Sequence, residues 1–201
     1  MEGLAATGGV ELQEEAMFLI LLGIVAVAGL WLLSSYNGLV AMRQRTGQSF
    51  SDIDVQLKQR HDLVPNLVET VKGYATHERE TFEEVTKARN LAASAQGPAA
   101  QAAAESVLTG ALSKLIAVAE QYPDHKANAN FQQLQSELAD LENKIAAARR
   151  YFNNAVAEYN SAREGFPGVL LAERFGFKPS EFFNLEEGER KAVQEAPKVQ
   201  F

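Results

Sequence analysis

A chain of 201 residues without a single Cys can form no disulfide, no thiolate nucleophile and no Cys-ligated metal centre. Its formal charge of −7 comes with no basic face, so the electrostatic footprint of a nucleic-acid binder is missing. Apolar residues make up 46% of the chain, enough for one core beside an apolar anchor, and abundant Ala with few Pro favours helices over strands.

Residues 1–15 form an acidic leader, with Glu2, Glu11, Glu14 and Glu15 and no base. Its small, Gly-rich start, Met1 to Gly9, is expected to be unordered. Ala16 to Leu33 (AMFLILLGIVAVAGLWLL) carries no charge and no Pro, and about 18 residues is the length of a membrane-spanning helix. Backbone groups in lipid must bond within the segment, so a lone span is helical. The flank is acidic and the apolar run long, unlike a cleaved secretory signal, and Ala26 to Ala28 lies inside the run rather than after it. The segment therefore reads as a retained anchor over residues 16–35, with the bilayer as its partner and Trp31 and Tyr36 near the interface. Arg43 and Arg45 are the first basic residues, so the leader is expected outside and the following domain in the cytoplasm, at a bacterial inner membrane.

From Leu39 the apolar positions Met42, Phe50, Ile53 and Leu57 recur at helical spacing. Gly38 and Gly47 are weak points in this helix. Pro65 removes a backbone donor and predicts a kink or break. Thr76 reads as an N-cap for a helix running to about Ser94, with Phe82, Val85, Arg89 and Leu91 facing inward. Gln96-Gly97-Pro98 is a loop, followed by an Ala-rich helix over 99–121 with Val107, Leu108, Leu112, Leu115 and Val118. Pro123 ends it and Asp124 caps the next. That helix, about 124–163, carries a heptad seam: Phe131, Leu134, Leu138, Leu141, Ile145, Ala148, Phe152, Ala155 and Tyr159. The seam could serve a homo-oligomer; short loops favour packing on the chain's own helices. Gly165 to Gly168 stops the helix, Val169 to Phe175 makes an amphipathic turn closed by Gly176, and Pro179 to Phe183 reads as a second small element. Residues 184–201 read as a polar tail. The fold class is all-α: a transmembrane helix followed by an antiparallel long-helix bundle over 36–183.

Catalytic, cofactor and metal constellations do not emerge. His77-Glu78 begins like a zinc-protease helix, but position 81 is Thr where a second His is required. His61, His77 and His125 lack ligand spacing and read as solvated or helix-end residues. Phosphate loops and nucleophile elbows are missing. Paired carboxylates such as Glu83-Glu84 read as solvated faces. A set of polar residues lies close to the apolar stripes: Arg60, Asn66, Glu78, Arg89, Glu142, Arg149, Asn153 and Asn160, with Glu69 and Asn143 beside them. Where these meet between helices they must be paired, because an unpaired buried charge costs several kcal/mol. They read as an internal hydrogen-bond network fixing helix register, the alternative being a polar groove for a partner or small ligand.

Several stretches together strongly resemble the LemA family of bacterial membrane proteins. They are YNGLVAMRQR from Tyr36, FSDIDVQLKQRHDLVPNLVETVKGYATHE from Phe50, VTKAR from Val85, and YPDHKANANFQQLQSELADLENKIAAARRYFNNAVAEYN from Tyr122. FPGVLLAERFGF from Phe166 and the Phe182-Phe183 pair agree. Tyr151-Phe152-Asn153 departs slightly from the family's usual order. The resemblance implies one N-terminal span, a cytoplasmic all-helical domain of long antiparallel helices, and no catalytic residues to carry over. A relative in magnetosome membranes takes part in organelle formation, which implies a role in membrane organisation. The expected function is a non-enzymatic membrane-anchored scaffold with protein partners; the rival is a sensor or ligand-binding module using the polar groove.

Overall fold

The computed structural model describes residues 3–75, 77–122 and 129–184, with side chains from Gln13 onward. Its elements are α1 (Gly3–Lys72), α2 (Arg79–Ser94), α3 (Pro98–Glu120), α4 (Ala129–Glu164) and α5 (Gly168–Phe175). No strand occurs among the described residues, in accord with the all-α reading. The chain divides into two compact units: residues through Gln44 with Tyr159–Pro179, and Arg45–Glu158 with the segment from Ser180.

In the first unit the apolar stretch of α1 is open to its surroundings. Phe18, Ile20, Leu21, Ile24, Val27 and Leu30 are all exposed. Beyond it, Leu39 packs with Tyr159, Leu171, Ala172 and Phe177 in a small core. The Tyr159 hydroxyl donates to the Lys178 carbonyl at 2.8 Å, which holds the chain that leaves α5. Gly176 sits at φ +69 as the left-handed cap of α5, a conformation that favours glycine. Gly168 is required for a different reason: a Cβ there would stand 1.9 Å from the Ala162 carbonyl oxygen of α4.

In the second unit, the largest cluster joins Val64, Leu67 and Val71 of α1 to Phe82 and Val85 of α2 and Leu108 and Leu115 of α3. A second joins Ile53 and Leu57 to Ile145, Phe152, Val156 and Phe183. The α4 seam positions from Phe131 to Ala155 are buried or half-buried within this unit, and Tyr159 is buried in the other. The seam is thus covered by the chain itself.

Several expectations are corrected. α1 is helical from Gly3, because extending a nucleated helix adds a hydrogen bond for each residue fixed. It also passes through Gly38, Gly47 and Pro65 without a break. Pro65 deprives the His61 carbonyl of its usual donor four residues on, and the Arg89 Nε–H of α2 donates to that oxygen at 3.1 Å instead. Burial of Val64, Leu67 and Val68 on either side of Pro65 favours the continuous helix. Leu91 and Val107 are exposed; Ala88 and Ala92, and Ala104 and Leu108, hold the inward positions on those helices. Residues 179–184 form no helix: Phe183 is buried as a single anchor while Phe182 is exposed. The expected caps Thr76 and Asp124, with Pro123 and His125, lie outside the described residues, as does the tail from residue 185. Within them α2 starts at Arg79 behind Glu78, and α4 at Ala129.

Candidate functional site

The most unusual chemistry lies inside the second unit, where four helices bring charge to one buried place. Arg60 of α1 is only 1% exposed, a rare state for a guanidinium. It follows Leu57 by three residues and His61 follows by four, so the inward stripe of α1 delivers both. Glu105 of α3 likewise lies three residues before the buried Leu108 and is 5% exposed. The Arg60 guanidinium binds the carboxylates of Glu105 and of Glu142 from α4. It also donates to the Thr109 hydroxyl at 3.2 Å, and that hydroxyl donates to the Glu105 carbonyl at 2.9 Å.

The remaining Glu105 oxygen faces His61 Nε2 at 2.6 Å. Burial, then the nearby Arg60 and Arg89 guanidiniums, hold the His61 pKa below its ordinary 6.5, with Asp62 pulling the other way. His61 is therefore neutral near pH 7 and donates Nε2–H to Glu105 as a hydrogen bond, not as an ion pair. Arg149 of α4 adds a second buried-side cation. Desolvation first, and Arg60 next, lower its pKa, while Glu142 opposes them. Two guanidiniums thus face two carboxylates, with a neutral imidazole attached. Both Glu105 oxygens are occupied, by Arg60 and His61, so this carboxylate offers no ready general base.

Arg149 also lies over the Phe183 ring, 5.0 Å from its centroid. One turn along α4, the Asn153 amide donates to the Phe183 carbonyl at 3.2 Å and accepts from the Phe183 N–H at 2.9 Å. It donates further to the Asn184 side chain at 3.1 Å. This clamp ties residues 183–184 to α4.

Of the residues singled out in the sequence, Arg60, Arg89, Glu142 and Arg149 converge on the buried cluster, Arg89 through the His61 carbonyl. Asn153 belongs to the Phe183 clamp. Asn66 is exposed, and its carbonyl accepts the Thr70 hydroxyl at 2.8 Å. Glu78 stands half-exposed at the N-cap of α2 without a side-chain capping bond. Glu69 and Asn143 are exposed, and Glu69 pairs with Lys72 at 2.7 Å. Asn160 belongs to the other unit. Sequence reasoning missed Glu105 and Thr109, and it took His61, which is buried and lies in the interior of α1, for a solvated or helix-end residue. The signal was register: both His61 and Glu105 fall on apolar stripes already traced.

No group of three or more potential metal ligands occurs among the described residues. An open cleft of about 390 Å³ does border His61, with Asp54, Lys58, Asp62, Arg89 and Gln101 on its wall. Its polar groups are largely paired with each other, Gln101 donating to Asp54 at 3.0 Å and Lys58 to Asp62 at 3.4 Å.

The chain matches the profile of the LemA family over residues 49–201. It is 28% identical over 179 residues to the magnetosome protein MamQ of Magnetospirillum gryphiswaldense, covering 76% of this chain and 66% of that one. A second magnetosome protein, MamQ 2 of Paramagnetospirillum magneticum, is 28% identical, with 76% and 65% covered. The protein LemA of Metamycoplasma hominis is 26% identical over 161 residues, covering 78% of this chain and 72% of the relative. The chain spans just under two thirds of the length of those two magnetosome relatives.

Proposed function

Because the chain belongs to the LemA family and carries an exposed apolar helix of membrane-spanning length, we propose that it is a non-enzymatic, membrane-anchored scaffold. In this reading the helical domain stands on the cytoplasmic side of a bacterial inner membrane, with the acidic leader outside, and engages protein partners. The observation that carries it is the apolar window of α1, none of which is buried within the structure. Each exposed Leu, Ile or Phe gains about 1.5–3 kcal/mol on leaving water, and lipid is the partner that takes a whole helix circumference. α3 is also long and apolar enough to cross a membrane, but 44% of its window is buried, which fits a core helix.

The ionic cluster around the buried Arg60 supports a structural role for Arg60, Glu142 and Arg149 as a device that fixes one packing of the helices. The names of the magnetosome relatives add support for work at an organelle or membrane. A homo-oligomer remains part of the proposal, formed through surfaces other than the self-covered α4 seam. The chain has no native Cys, which makes single-cysteine tests clean. In intact cells an impermeant maleimide is expected to label A5C and not R150C; the reverse pattern would overturn the orientation. In-cell cross-linking with mass spectrometry is expected to recover reproducible partners or a second copy of the chain. A strictly monomeric protein without cross-links would overturn the scaffold.

A further inference from the structure

The first unit holds a second apolar surface that the anchor does not account for. The turn from α4 into α5 and the outer side of α5 leave Phe166 71% and Leu170 57% exposed, with Val169 beside them, and Phe175 at the end of α5 is 56% exposed. These residues are not scattered. The Phe166 ring lies 5.5 Å from that of Trp31, within the last turn of the apolar stretch of α1. The Phe175 ring lies 5.0 Å from that of Tyr36, about one turn further along the same helix. The opposite side of α5 is spoken for: Leu171 and Ala172 are buried in the small core, and Gly168 abuts Ala162 of α4. The apolar groups that remain outside are therefore held rigidly at the end of the span. Exposed Glu173 and Arg174 complete the outer side of α5, a mixture of apolar and charged groups suited to the level of lipid headgroups.

We propose that the 166–175 segment is a second membrane contact, with Phe166, Val169 and Leu170 seated in the headgroup–acyl boundary beside the span. The inference rests on the reading of α1 as a membrane anchor. The argument for lipid as occupant is continuity: Phe166 extends, through Trp31, the same apolar surface that the span gives to the bilayer. Such a contact fixes the height and rotation of the first unit against the membrane, because one helix alone leaves rotation about its own axis free.

The full chain, labelled with a polarity-sensitive fluorophore at L170C or V25C, would be placed in nanodiscs of phosphatidylethanolamine and phosphatidylglycerol. Some of the lipid carries a quencher either near the headgroup or at the chain end. The expected result for L170C is blue-shifted emission, quenched more by the shallow label than by the deep one. V25C, inside the span, is expected to show the reverse depth preference, and V169C to follow L170C. Quenching at V25C with none at L170C and V169C overturns the α5 contact and leaves the anchor standing. Quenching at neither depth for any variant overturns the anchor and this contact together. Shielding of L170C from an aqueous quencher without lipid quenching would place protein on this face and also overturns the proposal.

Discussion

α1 contains two stretches that invert the usual placement of side chains. Between Met17 and Leu33 its large apolar residues are exposed, while at Arg60 and His61 its charged and polar residues are buried. Both departures follow from one cause, the nature of what surrounds the helix. Around the first stretch the described residues leave the large apolar groups exposed, which suits a hydrocarbon solvent. Around the second, carboxylates on α3 and α4 meet the guanidinium, so a group that costs several kcal/mol to desolvate is tolerated. Exposure points to the surroundings of the helix in one case, and burial to its partners within the chain in the other.

The comparison breaks most visibly if the partner is removed. Arg60→Ala leaves Glu105 buried without its counter-ion and is expected to cost about 3–5 kcal/mol of folding stability. Chemical denaturation of the protein in detergent, read by helical circular dichroism, checks this. Arg60→Met and Arg149→Met combined with Glu105→Gln and Glu142→Gln remove the four charges together, keep an acceptor for His61, and are expected to recover much of the loss. A cost below that of an ordinary surface substitution for Arg60→Ala would show that the cluster does not hold the bundle.

A finer test concerns the donor that Arg89 supplies. Arg89→Met leaves the His61 carbonyl unsatisfied and is expected to cost about 1–3 kcal/mol. Pro65→Ala restores an N–H four residues after His61, within the same helix. In that background the cost of Arg89→Met should shrink, giving a coupling of about 0.5–3 kcal/mol in a double-mutant cycle. Additive losses would mean that Arg89 does not compensate for the proline.

That exchange also marks where the sequence stops being legible. The helices themselves were readable, because the α4 seam and the stripes through Leu57, Val85 and Leu112 follow the helical period closely. Pro65 was read as a kink or break because its local effect is visible in one segment, whereas the compensating donor lies on another helix. Arg60, Glu142 and Arg149 were recognisable by their position beside apolar stripes. Glu105 was hidden in an Ala-rich run, where small side chains blur which side faces inward. His61 was misjudged because its imidazole is buried by a partner that only the packing of α1 on α3 supplies.

The smallest expected effect is a pH dependence carried by His61. Its folded-state pKa lies below 6.5, for the reasons of burial and the neighbouring Arg60 and Arg89. The unfolded chain therefore takes up a proton, as pH falls through about 6.5, that the folded chain still refuses. Stability is full above that value, declines as pH drops, and levels off once the pH is below the folded pKa. The groups around the imidazole set this sign: Glu105 accepts its proton, Asp62 favours the charged ring, and the two guanidiniums oppose it. Denaturation midpoints taken from about pH 7.5 to about pH 5.5 should fall for the native chain and stay flatter for His61→Gln, whose amide can still donate to Glu105. A native midpoint that rises on acidification would mean that His61 and Glu105 form an ion pair, and that α1 buries one more charge than the neutral imidazole requires.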